Sequence, residues 1–311
     1  MQYPIADAHC DYLFGAMEYG YTPDTDLKGQ TINRENLMRG GVALQCFAAW
    51  ADLTLRTPPT AQVLTMIDRY HSMLENREQF VPFNASFDPK TGKIGTVLTI
   101  EGAECCMGSL ALLRDFYRLG VRSVAFTWNS DNELSGAAEG RRRKGLTALG
   151  REMLGEMNRL GMAMDVSHLS DAGVEDALKY STSPIYASHS NCRSLMNAPR
   201  CLPDALIREI AARGGVIGIN FYGPQLHSSR VAHIRDIVRH MVHVVKLGGI
   251  EACCIGSDFD GMVKYPVDLG NPSELPELSR ALEAEGFDPS EVYALSYGNL
   301  SRYLLRFCGG M

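Results

Sequence analysis

Eight short, apolar, β-branched runs alternate with longer segments of helical periodicity, and this alternation constrains the 311-residue chain more than any other feature. The runs cover residues 5–11, 42–50, 94–102, 121–129, 162–168, 184–189, 216–222 and 252–258. Most are continuously apolar rather than alternating, which suits strands buried on both faces of a parallel sheet. Helices are predicted over 61–75, 110–119, 148–160, 171–180, 203–213 and 231–247, the last with Ile234, Ile237, Val238, Met241 and Val245 on one face. Gly120, Gly161, Gly214 and Gly248 fall where helices should stop before the next strand. Eight strand–helix units in sequence favour an α/β fold of the (β/α)8 TIM-barrel type over a doubly wound sheet. At 45% hydrophobic content, with no linker, repeat or low-complexity tract, residues 1–311 are expected to form one barrel domain.

A net charge of −6 gives no general attraction to nucleic acid or to anionic lipid, so a small molecule or peptide is the expected partner. The amino terminus carries neither a basic start nor an apolar run of signal length, and no stretch reaches membrane-spanning length. A cytoplasmic location is expected. The nine cysteines form no CxxC pair and several fall in apolar runs, which predicts reduced core residues rather than a zinc–thiolate site. The basic run Arg141-Arg142-Arg143-Lys144 reads as a solvated loop, although its place on the strand-exit side also suits an anion site.

In a barrel, reacting groups project from the carboxyl ends of the strands. Metal-ligating residue types recur there. His9 and Asp11 stand two apart at the first exit, where the period of a strand would point both the same way. Glu101 ends the third run, His168 the fifth, His189 the sixth and Asp258 the eighth. Of the eight histidines, three fall at exits, while His71, His227, His233, His240 and His243 lie in helical or loop segments that suit surface or packing roles. Imidazole and carboxylate donors without thiolate suit zinc, manganese or iron better than magnesium or calcium, and two Zn2+ per chain are expected. A bridging Glu101 would leave His9 and Asp11 for one ion and His168 and His189 for the other. Such a pair lowers the pKa of a shared water and polarises the carbonyl under attack.

These residues resemble the renal (membrane) dipeptidase family, metallopeptidase family M19 of the amidohydrolase superfamily. The motifs that carry the likeness are Asp7-Ala8-His9-Cys10-Asp11, Ile100-Glu101-Gly102, Asp165-Val166-Ser167-His168, Ser188-His189-Ser190 and Gly256-Ser257-Asp258-Phe259-Asp260-Gly261, with Asn220-Phe221-Tyr222 and Gly298-Asn299-Leu300 in support. The resemblance spans almost the whole chain. It implies hydrolysis of dipeptides at a binuclear zinc centre, with tolerance for a D-residue at the carboxyl end, and a homodimer. It makes Glu101 the bridging carboxylate and Asp258 the group that moves a proton from water to the leaving amine. Arg200, eleven residues beyond His189, matches the family's carboxylate-binding arginine, whose fork would grip a dipeptide's free carboxylate. Tyr222, at the seventh exit, joins the substrate-binding candidates.

Trp128 departs from the pattern, because the family's best-known members place a histidine there to contact the substrate carbonyl. Indole offers one N–H donor and no charge, so oxyanion stabilisation falls to the metals, to Trp128 or Asn129, or elsewhere. That substitution keeps a second substrate class in view: N-acyl amino acids or another small amide or lactone. A non-catalytic barrel-fold binding protein is the third reading, and the intact ligand set argues against it.

Overall fold

The computed structural model of the chain describes residues 3–75, 79–142 and 144–308. Its strands are β1 (Ile5–Asp7), β2 (Val42–Trp50), β3 (Phe80–Pro82), β4 (Ile94–Glu101), β5 (Val121–Ala125), β6 (Ala163–Asp165), β7 (Ile217–Ile219) and β8 (Cys253–Ile255). All pair in parallel, in the order β6-β5-β4-β2-β1-β8-β7, in a curled mixed α/β fold. β3 pairs with the first residues of β4, and β5 with the last. Only three residues long and ending in Pro82, β3 is too short for sequence periodicity to reveal.

The helices are α1 (Tyr12–Glu18), α2 (Arg34–Arg39), α3 (Pro59–Glu75), α4 (Leu110–Arg118), α5 (Ala148–Leu160), α6 (Asp171–Tyr180), α7 (Asp204–Ala212), α8 (Gly223–Leu226), α9 (Ile234–Gly248), α10 (Leu275–Glu285), α11 (Pro289–Tyr293) and α12 (Asn299–Cys308). Capping explains several starts. Thr147 and Ser170 accept from the N3 amides of α5 and α6, and Gly161 closes α5 with φ +71°. The expected stop at Gly248 moves on by one residue, since Gly249 carries the positive φ of +85°. On α9, Ile234, Ile237, Val238 and Met241 are buried as expected, but Val244 and His240 complete the face and Val245 is only half-buried.

The sixth expected strand, 184–189, forms no regular ladder. It makes two isolated parallel bridges, Tyr186 with Asp165 of β6 and Ala187 with Ile217 of β7, so the continuous ladder does not close a full barrel. The other runs begin as expected, to within a residue, but most ladders end early because the chain leaves the sheet to form the exits. His9 and Asp11 therefore lie beyond β1. Their convergence comes from a turn tied by Ala8 N–H to Ile255 O (3.0 Å) and Asp11 N–H to Phe259 O (2.9 Å), not from strand period.

β2 and β4 are buried along both faces up to Trp50, as two-sided burial requires. α12 covers the end opposite the exits. Its Leu300, Tyr303, Leu304 and Phe307 pack with Ala6, Leu44, Val97 and Cys254, and Asn299 donates to Cys253 O at the start of β8. All nine cysteines are buried and unpaired. Among the described residues, no helix is long and apolar enough to cross a membrane.

Candidate metal centre

Five exits converge on one buried cluster. His168 Nε2 and His189 Nε2 lie 2.8 and 3.3 Å from Glu101 Oε1 and 3.0 Å from each other. On the other side, His9 Nε2 stands 3.3 Å from Asp11 Oδ2, 3.8 Å from Glu101 Oε2 and 3.9 Å from Asp258 Oδ1. Donor atoms of His9, Glu101 and His189, and of His9, Asp11 and Asp258, form two groups whose members all lie within 4.8 Å of one another. His9 belongs to both groups, and Asp258 stands among the possible ligands rather than apart from them.

The cluster has the donor set and the unmet demand of a cation site. Asn129 Oδ1 accepts from His168 Nδ1 (2.9 Å), so a neutral His168 turns an Nε2 lone pair toward Glu101 Oε1. Burial holds His168 down at about 4, with Arg200 adding to the effect, and burial also lowers His189. Lone pairs thus face one another across short distances. Among the described residues, His9 Nε2, Asp11 Oδ1 and Glu101 Oε1 are buried without a hydrogen-bond partner, a costly arrangement unless something positive satisfies them.

The protein's own charges make the same point. Burial opposes charge on His9, yet Glu101, Asp11 and Asp258 together raise it to about 10. Burial likewise opposes ionisation of Glu101, but positive charge shared with His168 and His9 would hold it well below the usual carboxylate range, which is the place a cation would take. Asp258 is pushed up to about 8, chiefly by burial, with Asp11 and Glu101 adding and His9 opposing.

Neighbours fix these groups. Ser188 Oγ is 2.7 Å from His189 Nδ1, and Asn220 Nδ2 donates to Asp258 Oδ2 (2.9 Å). Two buried aspartates brace the loops beneath: Asp7 accepts from Ser257 N–H (2.8 Å) and Oγ–H (2.5 Å), and Asp165 from the N–H groups of Ser167 (2.9 Å) and Ser188 (3.0 Å). His168 and Asp258 adopt left-handed backbone, φ +69° and +64°, which side-chain-bearing residues keep only where their surroundings enforce it. A Cβ on Gly261 would overlap both Asp11 Oδ2 and Asp258 Oδ1, so the closing glycine of Gly256–Gly261 makes room for the carboxylates.

Arg200 is buried, not a surface arginine, and its guanidinium donates to His189 O (3.3 Å). Burial lowers its pKa, and Glu101 and Asp258 counter that effect. Trp128 lies beyond β5 with its ring 6.4 Å from His168. Tyr222 is half-buried at the start of α8, and Asn129 has the imidazole of His168 as its partner. Ser188, Asn220, Asp7 and Asp165 occur in the motifs that carry the family resemblance, but no spacing rule assigned them an orienting task. Gly261 closes another of these motifs, with nothing in the sequence to show the room it makes for the carboxylates. Arg141 and Arg142 are exposed, with Arg142 N–H donating to Asp131, while Arg143 lies outside the described residues. Of the remaining histidines, His240 is buried in packing, between Cys192 N–H and Leu226 O.

A sequence model of the membrane dipeptidase family, peptidase family M19, matches residues 1–306. Among curated proteins, the uncharacterized dipeptidase C965.12 of Schizosaccharomyces pombe is 39% identical over 60% of this chain and 46% of its own length. Dipeptidase 3 of Mus musculus is 29% identical over 96% of this chain and 64% of its own length. The matches thus span less than two thirds of either relative. A metallopeptidase from Rhodobacter sphaeroides, liganded with a phosphinate mimic of the dipeptide L-Ala-D-Ala, superposes with a TM-score of 0.90 at 24% identity, over 99% of this chain and 100% of that one.

Proposed function

This chain belongs to the membrane dipeptidase family, peptidase family M19, and from that premise we propose that it is a metal-dependent dipeptidase. The observation that carries the proposal is the convergence of three imidazoles and three carboxylates with their buried, unpartnered atoms facing one another. His9 and Asp11 would hold one cation, His168 and His189 a second, and Glu101 would bridge them. Zinc is the first choice for such nitrogen and oxygen donors. Bound there, the cations supply Lewis acidity, acidifying water and polarising the substrate carbonyl.

The chain's own groups do the rest. Arg200, buried beside the cluster, grips the free carboxylate of the substrate and so selects a short one. Asp258, held by Asn220, takes a proton from the attacking water as its carboxylate. It returns that proton to the amine nitrogen as the C–N bond breaks, leaving two amino acids. The bridges through Tyr186 and Ala187 are taken to complete a (β/α)8 barrel that forms one domain.

Trp128 supports a second reading, hydrolysis of N-acyl amino acids, because an indole stands where the family resemblance expects a histidine. Zinc-loaded protein incubated with L-L and L-D dipeptides beside N-acetyl amino acids divides the two. The L-Ala-D-Ala mimic held by the Rhodobacter sphaeroides protein is the reason to include L-D substrates. Turnover of dipeptides is expected; turnover of acylated compounds alone would overturn the dipeptidase reading.

A further inference from the structure

Both tryptophans of the chain stand side by side at the rim of this centre. Trp50 is the last residue of β2 and pairs with Glu101. Its ring centroid lies 4.8 Å from that of Trp128 and 5.0 Å from that of Phe14, which follows Asp11 on α1. Trp128 in turn reaches His168 at 6.4 Å. The three rings form one continuous aromatic wall from the His9 side of the cluster to the His168 side. Phe14 and Trp50 are half-buried, while Trp128 remains 38% exposed, so the wall is backed by protein and open in front. An open indole face beside a buried polar cluster is the pairing expected of a small-molecule subsite.

The position of the wall decides what it meets. In the sheet order, β2 and β4 stand in the middle, whereas β6 and β7 stand at the ends, joined by the bridges of 184–189. Arg200 lies on that joining side, against His189 O. Trp50, at the end of β2, therefore stands opposite 184–189 and the side on which Arg200 lies, while Trp128 carries the wall round to His168. A substrate with its carboxylate on Arg200 and its amide over Glu101 and Asp258 extends its acyl half toward the rings.

We propose that Phe14, Trp50 and Trp128 form a subsite for a large apolar or aromatic side chain on the amino side of the scissile amide. This rests on the placement of the carboxylate at Arg200 but not on which amide is cut. Covering the indole and the incoming side chain together removes apolar surface from water, and ring-on-ring contact adds to the gain.

The test measures kcat/KM for Gly-, Ala-, Leu- and Phe-initiated dipeptides with a constant carboxyl-terminal residue, beside N-acetyl and N-phenylacetyl derivatives of that residue. It also follows tryptophan emission of the zinc-loaded protein as the N-phenylacetyl or N-acetyl derivative is added, whose carboxylate takes Arg200 and leaves the acyl group for the rings, since Trp50 and Trp128 are the sole emitters of that class. From Ala to Phe, kcat/KM should rise on the order of 10- to 100-fold, mainly through KM. Trp128→Ala should bring that ratio close to one, Trp128→Phe should keep most of it, and the phenylacetyl compound should shift the emission where the acetyl one does not. A flat size profile, or a Phe-to-Ala ratio that survives Trp128→Ala, would overturn the subsite even if dipeptides are cut. The same preference found only among acylated compounds would uphold the subsite and reject the dipeptidase reading. If neither class turns over, emission decides: no shift specific to the phenylacetyl compound overturns the subsite.

Discussion

His168, His189 and Asp258 are each steered by a neighbour whose task spacing alone did not identify, and single substitutions separate the two kinds of role. Ser188→Ala frees His189 Nδ1 while leaving every proposed ligand in place. Metal affinity, measured by competition with a chelator, should fall about 10- to 100-fold; an unchanged affinity would mean that Ser188 does not orient the ring. Asp258→Asn keeps a side chain that Asn220 can still bond but removes the proton carrier. Turnover should drop by roughly 100-fold or more with metal content retained, and unchanged turnover would strike Asp258 from the mechanism. The ligand types and their exits were legible because histidines and carboxylates stand out in an apolar run. The tasks of Ser188, Asn129, Asn220 and Gly261 were not, because a polar residue beside a ligand looks alike in sequence whether it bonds a ring or water. Left-handed backbone at His168 and Asp258 was equally hidden, since neither residue type announces it.

At the scale of elements, hydrophobic pattern located the strands better than it located their ends. β2 ran as expected from Val42 to Trp50, whereas the runs at His9, His168 and Asp258 were read through to those residues although the ladders stop at Asp7, Asp165 and Ile255, where the chain turns inward. In 184–189 the neighbours on both sides give one bridge each, which apolar composition cannot distinguish from a full strand. α9 carries a consequence for acid stability. His240 is buried on that helix with its pKa lowered to about 4 from 6.5 by burial, so the folded chain excludes a proton that the unfolded chain binds. Stability is therefore complete above the unfolded value and is lost as pH falls from 6.5 toward 4. The full loss is roughly 3 kcal/mol, of which about 2 should appear by pH 5. Urea midpoints at pH 7 and pH 5 should differ less in His240→Gln, whose amide can still accept from Cys192 N–H and donate to Leu226 O. Equal differences in variant and parent would rule out His240 as the source.

For the whole molecule, the parallel sheet sends every exit to one end while α12 seals the other, so a chain of local β–α choices yields one polar cluster in an apolar body. That cluster is electrostatically incomplete by itself: Asp11, Glu101 and Asp258 crowd together, and buried atoms of His9, Asp11 and Glu101 lack partners. Cations that bind the folded state alone should stabilise it, so chelation should lower the thermal midpoint and added zinc restore it. An unchanged midpoint would mean that the cluster tolerates its own charges. The two-cation dipeptidase account is tested most directly by titrating zinc into chelator-stripped protein while following hydrolysis of one L-D and one L-L dipeptide. It predicts that activity saturates with two ions bound per chain; saturation at one, or full activity with none, would contradict it.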